Sequence, residues 1–411
     1  MPDFAQLKRT ARFVAMLYLT KGFVQYAGRV QGKPLARASI YPWHADPYPQ
    51  YERIRDEGPL VPAIARGVYA TAEHDVCKQV LASRDFGTVG RDEVGPFERQ
   101  IDLSLLEMDP PDHTRVRRVA APAFTPRRMA AYETRIEELM HQIVDRAQAA
   151  GSFDLQQLIS APLPISVISQ LLGVDEVDDE AFMRYGTALG GLLDGPQSVR
   201  HVREAVAARD ALREMFVPLI EERRREPRED MLTTLAQHEG EQITADEMMP
   251  LCTLLLVAGF ETTVNLIGNS IHQLMRHRDQ WDALTAEPAL AANAVEETLR
   301  FDTSSQLLAR YLLQDVELHG RVAPRGSKLL LCLGSANRDE SKFADPWTFD
   351  VRRHPNPHLG FGGGGAHFCL GAHLARMEAR VALAELFTRI RDYEVDEANA
   401  VRVHSSNVRG F

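Results

Sequence analysis

Between residues 244 and 275 the chain carries a helix that belongs inside a domain rather than on its surface. Thr244 followed by Glu247 forms a capping box, in which the hydroxyl and the carboxylate satisfy each other's free backbone N–H groups, so the helix starts near Ala245. Residues 251–260 are apolar all round, which predicts burial on every face. Continued to about Met275, the helix is on the order of 30 residues and 45 Å long, enough to cross the middle of a domain. Its centre reads Ala258-Gly259-Phe260-Glu261-Thr262-Thr263. Glycine weakens a helix interior and threonine can turn its hydroxyl onto a carbonyl one turn back, so a local widening of the hydrogen-bond ladder is expected. A carboxylate there is costly to bury, and Glu261 alone leaves a functional and a structural reading level.

The second constraint is Cys369. The run His358-Leu359-Gly360-Phe361-Gly362-Gly363-Gly364-Gly365-Ala366-His367-Phe368-Cys369-Leu370-Gly371 leads into residues 372–390, which read as a helix. A sulfur at a helix start meets the positive end of the dipole and free N–H groups, and both favour the thiolate that binds metals or attacks electrophiles. The glycines allow the backbone to approach a flat, bulky partner. Taken alone, a small buried cysteine beside a turn is the commoner reading.

At 411 residues and 45% hydrophobic, the chain has core enough for one large domain or two ordinary ones. Its net charge of −10 argues against nucleic acid as a partner. Cys77, Cys252, Cys332 and Cys369 show no CxxC or zinc-type spacing, which points to a reducing, cytoplasmic setting without disulfides. Residues 1–40 carry Lys8, Arg9, Arg12, Lys21, Arg29, Lys33 and Arg37 against Asp3 alone. The apolar run from Phe13 to Leu19 is far short of the roughly 20 residues that span a bilayer, and no signal cleavage site follows it. This extension reads as a basic amphipathic helix packed on its own domain, in preference to one lying on an anionic membrane.

Along the rest of the chain, helices are expected at 50–57 and 74–82, a short strand at 68–71, and an irregular loop at 87–100. Helical patterns dominate residues 111–300. Short β-like runs such as 310–313 and 328–333 follow, giving a mostly helical protein with a smaller β-rich portion.

Four separated motifs together resemble the cytochrome P450 haem-thiolate monooxygenases of the soluble bacterial kind. The Cys369 loop is similar to their haem-binding loop, and Ala258-Gly259-Phe260-Glu261-Thr262 to their oxygen-activation motif. Glu297-Thr298-Leu299-Arg300 resembles their Glu-x-x-Arg helix, and the segment from Asp109 to Arg118 their helix on the haem propionate side. The likeness extends from about Tyr41 to Arg409, so residues 41–411 are expected to form a single domain of the cytochrome P450 fold, with the long helix over the haem. The resemblance implies haem b (iron protoporphyrin IX) with Cys369 as the metal ligand. It implies that His113, Arg117, Arg310 and His367 hold the propionates. Ala258, Gly259, Phe361 and Gly371 then line the cofactor. Thr262 and Glu261 resemble the alcohol and acid that deliver protons to bound dioxygen, while Glu297 and Arg300 look structural.

Two departures stand out. Phe361 lies eight residues before Cys369 where the family has seven, so one glycine is surplus and is expected to be absorbed as a bulge. The family's arginine that completes a triad with Glu297 and Arg300 is replaced by Trp347-Thr348-Phe349, leaving Arg352 or Arg353 as substitutes.

By resemblance the reaction inserts one oxygen atom of dioxygen into an apolar small molecule, by hydroxylation or epoxidation. Electrons are expected from a ferredoxin or flavodoxin and its reductase, drawn to Arg115, Arg118, Arg127, Arg128, Arg376 and Arg380 around the Cys369 face. The substrate pocket is expected from residues 87–100, 183–193, 303–308, Leu254, Leu255, Val257, Ala258 and Val408, in a monomer. A peroxide-driven peroxygenase is the nearest alternative, disfavoured because such enzymes lack the acid–alcohol pair. A non-catalytic haem-thiolate binding or sensor protein is the other. A phosphate-binding loop is excluded, since no basic or hydroxyl residue follows the glycines.

Overall fold

The computed structural model describes residues 4–90, 102–174, 178–390 and 393–411. Its axis is the helix Ala245–Arg276, 32 residues long and opened by the Thr244–Glu247 capping box. Leu251, Cys252, Ile267 and Leu274 of this helix are buried among Ile136, Met140, Val295 and Leu386 from the helices around it. Helices Pro162–Leu172, Asp179–Gly190, Ala291–Phe301 and Ala372–Arg389 pack directly against it. Among the described residues it alone is long and apolar enough to cross a membrane, and it is mostly buried, as a core helix should be. Two expectations need correcting. The helix stays α-helical throughout, with no widened turn. It is also not covered on every face, because Ala258 is exposed and Gly259 half-buried, and that gap in the packing is where a cavity opens.

Among the described residues seven short strands make up the β-rich portion: β1 (Val61–Pro62), β2 (Val68–Thr71), β3 (Phe86–Gly87), β4 (Leu307–Leu312), β5 (Val316–Leu318), β6 (Arg321–Ala323) and β7 (Lys328–Cys332). Five form a sheet in the order β1-β2-β7-β4-β3, with β2 parallel to β7 and Tyr69 opposite Leu329. β5 and β6 form a separate hairpin closed by His319 and Gly320, both at positive φ (49° and 78°), the conformation that matches strand twist in a two-residue turn. The helix His74–Ala82, at the expected residues, packs Val76, Val80 and Leu81 on Leu329 and Leu331 of the sheet. It thereby holds the Leu81 carbonyl at the edge of the cysteine loop. The helix expected at 50–57 begins two residues earlier, at Tyr48. Most of the irregular 87–100 stretch lies outside the described residues.

The N-terminal helix is Phe4–Arg29, 26 residues. Leu17 and Ala27 are buried on the domain, and Gly28 lets the helix pack closely on Ala36 and Ile40, where a Cβ would stand 2.6 Å from the Ile40 side-chain tip and 3.3 Å from the Ala36 backbone.

Candidate active site

Gly362, Gly363, Gly364 and Gly365 all hold positive φ, at 86°, 61°, 122° and 80°, a left-handed run that other residues adopt only under strain. The run brings the chain back so that the Cys369 N–H donates to the Phe361 carbonyl at 3.0 Å, while the Gly362 N–H donates to Leu359. The surplus glycine is thus absorbed between two bonded ends. A Cβ on Gly365 would stand 2.3 Å from the Leu81 carbonyl oxygen, so the loop leans directly on the neighbouring backbone. Phe361 stays near the cysteine, with its ring beneath the Arg376 guanidinium, 4.4 Å away. The helix Ala372–Arg389 begins just after Gly371. Burial pushes the Cys369 thiol up, against the Gly371 N–H and the charges of Arg117 and Arg376. A metal ion would take the proton's place at such a sulfur. Cys77, Cys252 and Cys332 are buried, and all four cysteines are free.

Cys369 opens into a cavity with about 250 Å³ accessible to the centre of a water-sized sphere. Ala258, Gly259 and Thr262 of the central helix line it, and Phe361, Gly371, His113, Arg117 and His367 complete it. Leu254, Leu255, Thr303, Ser304, Ser305 and Leu308 also face it, as expected. Val257 is buried elsewhere, and Val408 instead pairs with Ser305 from behind. The segment 183–193 contributes no lining residue.

At one end of the cavity sit His113, Arg117 and His367, with Arg310 close by. His113 is 1% exposed, and neither ring nitrogen has a partner. Its ring lies 4.1 Å from that of His367. Burial lowers both, helped at His113 by Arg117; His367 reaches about 4, with His113 and Arg310 contributing. Arg117 donates to the Phe368 carbonyl at 2.6 Å, and buried Arg310 to the adjacent Ala309 carbonyl. Arg310 does not itself line the cavity; it stands behind the histidines. The carboxylate nearby is Asp109, 3.9 Å from His367 and committed to the Thr88 and Val89 backbone N–H groups. Buried donors without acceptors are rare. This set fits a flat ligand bearing carboxylates at that edge, with small residues on one face and a sulfur for its metal on the other. Among the described residues no cluster of three or more His, Cys, Asp or Glu could hold a metal by protein ligands alone.

Glu261 and Thr262 part company. Thr262 faces the cavity, its hydroxyl donating to the Ala258 carbonyl at 2.8 Å. Glu261 points to the other side, where its carboxylate would clash with any Cβ on Gly190 and one oxygen has no partner. Burial, reinforced by Asp194, pushes its pKa up to about 7. Native Glu261 therefore binds a proton between about pH 4.5 and 7 that the unfolded chain has released, and stability falls across that window as pH rises. Glu261→Gln is expected to flatten this slope and to gain about 1–3 kcal/mol over the parent at pH 8.5. Urea midpoints at pH 5 and 8.5 measure it, and an unchanged difference between the two would refute the assignment.

The Glu297–Arg300 pair is fully buried, with both Arg300 contacts at 2.7–2.8 Å. Arg353 is the third member: its Nε donates to Glu297 at 3.2 Å, while Arg352 pairs with Glu287 at the surface. One residue missed from the sequence is Glu378, 2% exposed at the cavity wall behind Cys369, with one oxygen unpartnered and its carboxyl pushed well up by burial. Between Arg376 and Arg380 it reads as a solvent-facing charge, and only the alanines at 375, 379 and 382 on its helix face hint otherwise.

The expected basic patch is largely neutralised from within. Arg115 pairs with Glu247, Arg376 with Glu296, and Arg380 with Glu133, three contacts between residues far apart in sequence. Arg118, Arg127 and Arg128 remain exposed, and among the described residues only Arg128 of the three meets a carboxylate, Glu229 at 3.5 Å.

A family model described as Cytochrome P450 matches residues 65–407. The cytochrome P450 monooxygenase PikC of Streptomyces venezuelae is 39% identical over 367 residues, 86% of each chain. Nocardicin C N-oxygenase of Nocardia uniformis subsp. tsuyamanensis is 38% identical over 358 residues, 84% of this chain and 88% of its own. The crystal structure of Mycobacterium smegmatis CYP164A2 with econazole bound superposes with a TM-score of 0.83 at 35% identity, covering 93% of this chain and 98% of that one.

Proposed function

Because the chain belongs to the cytochrome P450 family, whose members are oxidoreductases, we propose that it inserts one oxygen atom of dioxygen into an apolar small molecule, with electrons from a separate ferredoxin or flavodoxin system. The observation that carries this reading is one cavity shared by Cys369, Thr262, Arg117, His367 and a buried His113 whose two ring nitrogens have no partner.

In this reading Cys369 Sγ ligates the iron of haem b, and the haem, once bound, supplies the oxygen-activating chemistry. His113, Arg117, Arg310 and His367 hold its carboxylates by charge-assisted and imidazole hydrogen bonds, which gives the two His113 ring nitrogens the partners they otherwise lack. Ala258, Gly259 and Gly371 leave room for a flat ring system. Thr262 releases the Ala258 carbonyl and turns its hydroxyl into the cavity, where it holds a proton for the reacting oxygen. Glu261, its pKa pushed up to about 7, is a proton reservoir on the far side of the same helix turn. Leu254, Leu255 and Leu308 exclude water and favour an apolar substrate, since apart from Arg117 and the two histidines at the cradle end the described lining carries no basic residue. Arg118 and Arg127 offer the redox partner a smaller positive surface than the sequence promises, so turnover should depend only modestly on ionic strength.

The test is turnover with NADPH, a surrogate ferredoxin and its reductase under isotopically labelled dioxygen. One labelled oxygen per product supports the reading; label drawn from water, or equal turnover on peroxide alone, overturns it. Thr262→Ala is expected to lower product formed per NADPH roughly tenfold to hundredfold, the excess appearing as peroxide, while Thr262→Ser restores coupling. Unchanged product and peroxide yields would remove Thr262 from proton delivery.

A further inference from the structure

The N-terminal helix is apolar on two faces, and only one of them is used. Leu17 and Ala27 anchor the inner face, Lys21 Nζ donates to the Gln197 carbonyl, and Arg29 donates to the Tyr41 carbonyl at 3.0 Å, so the helix cannot roll to bury the other side. On that other side Met16, Leu19, Phe23, Tyr26 and Val30 follow one another at spacings of three and four, which places them in a single stripe about 21 Å long. Leu19 is 73% exposed and Val30 69%. Tyr18 and Tyr41 are exposed nearby. A continuous apolar stripe of this kind needs a partner.

The charge around it selects which. After Asp3 the next acidic residue is Asp46, and between them stand Lys8, Arg9, Arg12, Lys21, Arg29, Lys33 and Arg37, on a chain whose overall charge is −10. A second copy on this stripe would bring the Arg12 and Arg29 side chains of both chains to one dry seam with no carboxylate on either helix to answer them. An anionic lipid surface meets both features at once, taking the aromatic and aliphatic stripe into the headgroup boundary and the flanking cations against its phosphates.

We propose that the outer face of the N-terminal helix, centred on Leu19 and Phe23, docks the protein reversibly on anionic bilayers. The full-length protein is sedimented with vesicles of phosphatidylcholine alone and with vesicles containing about one-third phosphatidylglycerol. Binding is expected to be at least roughly tenfold tighter to the anionic vesicles, and to weaken between about 0.1 and 0.5 M salt. The double variant Leu19→Asp/Phe23→Asp is expected to lose about tenfold or more of that binding while its thermal midpoint stays unchanged, since both side chains are exposed. Arg12→Glu should weaken binding to anionic vesicles only. Equal binding to both vesicle types, or binding to neither, overturns the proposal. So does a dimer in lipid-free sedimentation that the double variant dissolves.

Discussion

Replacing Cys369 with alanine is expected to abolish turnover, by at least about 10³-fold or some 4 kcal/mol in the barrier, and to erase the thiolate-type band of the reduced carbon monoxide complex. No other sulfur can take over. Cys77, Cys252 and Cys332 are fully buried, their thiols are pushed up by that burial, and none lines the cavity. Cys369→His separates ligation from folding, since imidazole can still hold iron at that position while the spectrum shifts to that of a nitrogen ligand. A Cys369→Ala protein that keeps the thiolate-type band would sink the assignment. The His113, Arg117, Arg310 and His367 cradle is untouched by this change, so weak haem retention in the alanine variant is compatible with the reading.

Glu297→Ala should have the largest effect on stability. The carboxylate accepts two bonds from Arg300 and one each from Arg353, the Asp350 N–H and Asn356, at 2.7–3.2 Å. Arg300 in turn donates to the Asn337, Pro346 and Thr348 carbonyls. One ion pair therefore ties the helix Ala291–Phe301 to the segment that leads into the cysteine loop. Removing the acid leaves a guanidinium with no countercharge at zero exposure, which costs about 3–5 kcal/mol. The exposed Arg352→Ala, lost from its Glu287 pair, should cost under about 1 kcal/mol. Denaturant melts of both variants decide it; a Glu297→Ala protein within about 1 kcal/mol of the parent would mean that the network contributes no net stability.

How far the sequence could be read varies with the range of the interaction involved. The central helix was placed to within a residue or two because its start is written locally, in Thr244 and Glu247. The strands β2 and β7 were found for the same reason, as short apolar runs between turn residues. The split between Glu261 and Thr262 is legible in helix geometry: neighbours in sequence project about 100° apart, so an acid and an alcohol side by side point in different directions. Arg352 and Arg353 could not be separated without tertiary contacts, since adjacent residues in a turn offer the same chemistry to different neighbours. The basic patch was overestimated for a related reason. Its cancelling partners, Glu133, Glu247 and Glu296, lie from 80 to 247 residues away in sequence. At Cys369 the helix start is legible in the sequence, whereas the burial that pushes the thiol up comes from tertiary packing that the sequence does not display.

The left-handed glycine run also constrains how this loop can drift over generations. At four successive positions a side chain would strain the backbone, and at Gly365 it would strike the Leu81 carbonyl, so exchanging one glycine for another residue has no harmless outcome. Gaining or losing a whole glycine is gentler, because the bond between the Phe361 carbonyl and the Cys369 N–H closes the run from outside it. Such a segment varies in length before it varies in letter, and a surplus glycine is the form that inherited change here would take.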